Sequence, residues 1–65
     1  MTIEEIQASL RTIKSLSSDD ELAHSMQDEL CRDVLTSIAL GADNARELAA
    51  EALKVHEIEF ARWCA

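Results

Sequence analysis

Asp20, His24, Gln27 and Cys31 follow one another at spacings of four, three and four, so on a helix they form one line along an edge of its apolar face. A carboxylate, an imidazole, an amide and a thiol in a row can serve as a recognition strip, and imidazole and thiolate are also zinc ligands. No Cys-x-x-Cys pair supports zinc. An edge where polar meets apolar ordinarily mixes such residues, and His24 can satisfy itself on Asp28 four residues on or Asp20 four back. Glu21 and His24 match the Glu-x-x-His pattern of di-iron helical bundles, but at 100° per residue Glu21 turns well away from the apolar face. Asp20, His24, Gln27 and Asp28 are therefore candidate recognition residues, with no metal ligands and no cofactor assigned.

The ending Glu57-Ile58-Glu59-Phe60-Ala61-Arg62-Trp63-Cys64-Ala65 holds both aromatic residues and one of the two cysteines. Phe60 and Trp63, three apart, share a helical face. Phe60 is expected in the core or in homodimer packing. Trp63 with Arg62 is a second candidate recognition pair, because tryptophan and arginine are enriched where binding energy concentrates. His56 and Cys64 lie eight apart, more than two helical turns, so no thiolate–imidazole pair is expected within this segment. With no Gly-rich phosphate loop and no nucleophile elbow, and little room for a pocket of the usual roughly 300 Å³ or more, the chain reads as a non-enzyme.

Thirteen acidic against six basic residues give a net charge of −7. Arg11, Lys14, Arg32, Arg46, Lys54 and Arg62 are scattered, so the field repels phosphate backbones and no direct nucleic-acid binding is expected, while a basic protein partner is permitted. No apolar run approaches the roughly 20 residues of a membrane span. Two cysteines without a signal peptide point to thiols in a reducing cytoplasm. At 65 residues one domain is expected, with a core that removes only roughly 60% of the unfolded surface from water; regular helix packing and oligomerisation are the supplements that this composition leaves open.

These residues need helices to position them. One glycine and no proline argue against hairpins, and four helical segments are predicted, over about 3–15, 19–40, 44–54 and 57–63. Thr2 with Glu5 reads as a capping box, and Ile3, Ile6, Leu10 and Ile13 form a narrow stripe resembling a coiled-coil seam. Ser15, Ser17 and Ser18 break the pattern. Ser18 with Glu21 repeats the capping box, and Asp19, Asp20 and Glu21 favour the positive end of the helix dipole. Met26, Leu30, Val34 and Ile38 share the second helix's apolar face with Ala23, Cys31 and, at its margin, Leu35. Gly41 ends it. Asp43 or Asn44 caps the third, with Leu48, Ala49, Ala52 and Leu53 on one side. A continuous helix from 45 to 64 would turn Ile58 outward, whereas a break near Val55 to Glu57 returns it to the core; the break is favoured.

The segments Asp20-Glu21-Leu22-Ala23-His24, Asp28-Glu29-Leu30 through Ile38-Ala39, and Ile58-Glu59-Phe60-Ala61-Arg62-Trp63-Cys64-Ala65 resemble small uncharacterised proteins of bacteriophages and prophages. The resemblance implies a source and no mechanism. The expectation is an all-α bundle of three helices plus a short C-terminal helical segment, packed as a homodimer in which the first helix's stripe pairs with its symmetry mate or with the second helix. Its leading function is that of an acidic protein–protein interaction or accessory protein. An acidic inhibitor or nucleic-acid mimic, drawing on six carboxylates between Asp19 and Asp33, is the alternative, and a metal-binding bundle is the third.

Overall fold

The computed structural model describes residues 1–60, and among them the elements are α1 (Ile3–Ser15), α2 (Asp20–Ala39), α3 (Ala45–Ala52) and a 3-10 helix over Leu53–Glu57. Helix α1 begins where its capping box requires. The Glu5 amide donates to the Thr2 hydroxyl at 3.1 Å and the Thr2 amide to the Glu5 carboxylate at 2.7 Å, so two amides that the helix cannot satisfy internally find partners. Helix α2 starts one residue later than the Ser18 box implies. Asp19 is its cap and accepts from the Leu22 amide at 3.1 Å, a carboxylate being favoured over a hydroxyl at the positive end of the dipole. Asn44 holds the cap position of α3 without a side-chain hydrogen bond.

Gly41 closes α2. Its φ of +93° lets its own amide donate to the Ile38 carbonyl at 3.0 Å and the Ala42 amide to the Ser37 carbonyl at 3.1 Å, the paired bonds of a Schellman ending. A Cβ at this position would meet nothing within 4 Å, so the barrier to substitution is backbone conformation alone. Gly41→Ala is expected to cost about 1–2 kcal/mol, read as a fall in Tm of roughly 4–8 °C per kcal/mol for a domain of this size. An unchanged Tm would show that the chain closes the helix another way.

Each helix packs on the other two. Ile6 and Ile13 from α1, Ala23, Leu30 and Val34 from α2, Leu48 and Ala52 from α3, and Val55 from the 3-10 helix form the core, with Ile3, Leu10, Met26, Ile38, Ala42, Ile58 and Phe60 partly buried around it. Burying one such Ile, Leu or Val contributes about 1.5–3 kcal/mol before ordering entropy is set against it. The stripe of α1 is therefore consumed inside the single chain, against both α2 and α3, and supplies no seam for a symmetry mate.

The break after α3 comes earlier than expected and takes a specific form. At 3.6 residues per turn Ala52 would be followed onto the core face by His56; at the three residues per turn of a 3-10 helix it is followed by Val55 and Ile58. The chain takes the second option, with Val55 fully buried, Ile58 and Phe60 packed on the core and His56 exposed. Ile58 has extended backbone, φ −85° and ψ 124°, and Glu59 and Phe60 are not helical either, so the helical segment expected at 57–63 is absent from Ile58 to Phe60; residues 61–63, with Arg62 and Trp63, lie outside the described residues. Exchanging α for 3-10 geometry weakens a few hydrogen bonds and in return buries two β-branched side chains instead of an imidazole.

Candidate functional site

The polar line of α2 divides when folded. Gln27 is buried, 9% exposed, and engaged, and among the described residues no buried side-chain nitrogen or oxygen lacks a partner. It sits between Ala23 and Leu30 on the core side, which removes it from the expected recognition strip. Asp20 is half-buried and also engaged. His24 Nε2 lies 3.7 Å from Asp28 Oδ1 one turn along the helix, too long for a hydrogen bond. Glu21 is exposed beside Asp19, Leu22 and Ser25, away from any site His24 could share. Within one chain, the described residues contain no group of three or more His, Cys, Asp or Glu placed to hold a metal. Arg62 and Trp63 lie outside the described residues.

On the side of the α2–α3 pair away from α1 the structure leaves a groove of about 250 Å³, lined by Cys31, Val34, Leu35 and Ile38 from α2 and by Ala49, Ala52, Leu53 and His56 from α3 and the 3-10 helix. No α1 residue reaches it. Residues 40–44 join α2 to α3. At 1.5 Å per residue, Cys31 to Ile38 gives it a length of about 10 Å. Leu35 and Leu53 stand on its rims, 66% and 64% exposed. A second, shallower depression shares Cys31 and Leu35 and continues over Asp28, Arg32, Thr36 and Ala39.

Comparison with known protein families, curated proteins and solved structures finds no match. The surface itself must therefore carry any functional reading. Its chemistry is apolar contact. Among the described residues no helix is long and apolar enough to cross a membrane.

Sequence periodicity set Leu53 on the core side of α3, where the structure exposes it. Leu48, Ala49, Ala52 and Leu53 form an apolar face too wide for one neighbour to cover, and that width is the signal that a second surface exists. Leu35, at the margin of the α2 face, is its counterpart. Cys31 and His56 both line the groove, and their separation in the sequence gives no local pattern that would join them.

The opposite side of α3 is tied down by polar contacts. Gln7 Nε2 donates to Glu51 Oε2 at 3.4 Å and Lys54 Nζ to Glu51 Oε1 at 3.0 Å. The Lys54 hydrogen bond, and less strongly that of Gln7, hold the Glu51 carboxyl below its ordinary range against an opposing effect of desolvation. Because the folded-state pKa is the lower one, the associated stability is present above the unfolded carboxylate pKa and is lost as pH falls through the folded value. Lys54→Met is expected to move the Glu51 titration upward in a carboxyl-carbon NMR experiment. A midpoint that stays in place would contradict the ion pair.

Proposed function

We propose that this chain is a small acidic interaction protein, with a binding role rather than a catalytic one, that works as a homodimer through the α2–α3 groove. The observation that carries the reading is the groove itself: eight lining residues with no acid among them, on a chain of net charge −7. Two copies of so acidic a protein repel one another at most orientations, and this face lets them approach with carboxylates kept apart. Its edge carries both Asp28 and Arg32, the opposite charges that a self-complementary two-fold contact can use twice. From helix dimensions the groove, about 10 Å long and two helices wide, offers on the order of 200 Å² per copy, so the contact is expected to be weak and exchanging.

The test is dilution followed by amide NMR. Shifts concentrated at Cys31, Leu35, Ile38, Ala49, Leu53 and His56 support the reading, and shifts concentrated on α1 or on the acidic start of α2 overturn it. A second reading, an inhibitor of a basic protein, draws on the exposure of Asp19, Glu21, Asp28, Glu29 and Asp33. Binding of that kind weakens steeply with ionic strength, whereas an apolar dimer barely responds. The phage or prophage setting rests on the segment resemblance alone.

A further inference from the structure

The α2–α3 groove is uncovered and apolar, with a cation on each flank. Its eight lining residues include no acid, and on the α2 side the adjoining depression sets Arg32, with Asp28, beside Cys31 and Leu35. On the other wall Arg46 precedes Ala49 by three residues and Leu53 by seven, spacings that keep all three along one side of the helix. Both arginines are exposed, and neither guanidinium has a hydrogen bond or ion pair among the described residues. Fold stability does not account for them. Arg46 stands in the first turn of α3, the positive end of the helix dipole, where a cation is disfavoured. Arg32 has Asp28 one turn back, at a spacing that permits a pair, and the pair is not made.

We infer that the groove receives a short amphipathic helix of another protein, its aliphatic stripe seated between Leu35 and Leu53 and the carboxylates beside that stripe bonded to Arg32 and Arg46. A groove about 10 Å long takes about two helical turns, and a guanidinium grips a carboxylate through two parallel N–H donors. The net charge of −7 holds acidic partners off at other faces, so such a helix is accepted in one place. With about 200 Å² per copy against the roughly 800 Å² that each partner buries in a stable interface, self-association leaves the groove open to it. The inference goes beyond the dimer and rests on the groove alone; a second copy is a competitor for the same face.

Two stapled helical peptides test it, each with one aliphatic stripe, flanked by glutamates in the first and by glutamines in the second. They are titrated into the isotope-labelled full chain at a concentration where it is monomeric. Amide shifts are expected at Cys31, Leu35, Ala49 and Leu53, with the glutamate peptide bound about fivefold more tightly. Arg32→Gln combined with Arg46→Gln, checked for unchanged helical circular dichroism, is expected to abolish that preference while leaving the affinity for the glutamine peptide as it was. Equal affinities in the wild type, or a preference that survives both substitutions, overturns the proposal. Shifts centred on another face, or no binding of either peptide, do the same. A dilution series without peptide reads self-association separately, so a chain that stays monomeric yet prefers the glutamate peptide sinks the dimer alone.

Discussion

Leu48→Ala is expected to remove a large share of the chain's folding stability. Leu48 is fully buried on α3, the short helix that meets both α1 and α2, and truncating a buried leucine costs about 2–5 kcal/mol through lost transfer energy and the cavity left behind. A domain of this length has only roughly 3–10 kcal/mol in total. The loss therefore takes a large share of the stability or all of it. A urea titration followed by far-ultraviolet circular dichroism reads the effect directly, with the exposed Ala50→Ser as a control that stays within about 0.5 kcal/mol. Protein concentration must be held fixed, because the proposed association with a second copy would add stability by mass action. A Leu48→Ala chain that unfolds at the wild-type midpoint would show that α3 does not seal this core.

Leu35→Glu combined with Leu53→Glu is expected to do the reverse, sparing the fold and abolishing the dimer. Both side chains stand on the groove rims with about two thirds of their surface in water, so the monomer loses almost no packing. In the dimer the same change removes four leucines from the contact and confronts four carboxylates with one another. The dissociation constant should rise by about a hundredfold or more, which corresponds to roughly 2.8 kcal/mol, while the thermal unfolding of the dilute protein stays close to wild type. Equal association by the variant would remove this groove as the contact surface.

Much of the fold was legible because its signals are local. Thr2 with Glu5, Gly41 and the isoleucine stripe of α1 each determine their own surroundings, and the elements they imply are present. The cap of α2 slipped from Ser18 to Asp19 because both residues can accept from an amide three positions on, and the choice between them turns on charge at the helix end. Past Ala52 local rules fail. Val55, His56 and Ile58 are compatible with either an α or a 3-10 turn, and the decision belongs to the pocket that receives Val55 and Ile58, a tertiary property. The site was less legible than the fold for the same reason. Gln27 sits in the polar line by spacing and in the core by packing, and Cys31 and His56 come to line one groove only once α2 and α3 lie side by side.

The role of α1 also changes the account of assembly. Its stripe has the spacing of a coiled-coil seam, and a free helix bearing it would seek a partner. Here that partner is supplied twice over by α2 and α3. What remains apolar and uncovered is the far side of that same pair, where helices whose apolar faces exceed one neighbour's reach leave Leu35 and Leu53 in water. The proposed self-association draws on the breadth of the α2 and α3 faces.

The most direct test of self-association is sedimentation velocity of the full chain over a dilution series, with a thiol reductant and a chelator present so that neither disulfides nor metal ions contribute. The account predicts a reversible shift from a species of twice the chain mass to the monomer across the micromolar range, nearly independent of salt. A chain that sediments as a monomer at every concentration would contradict it.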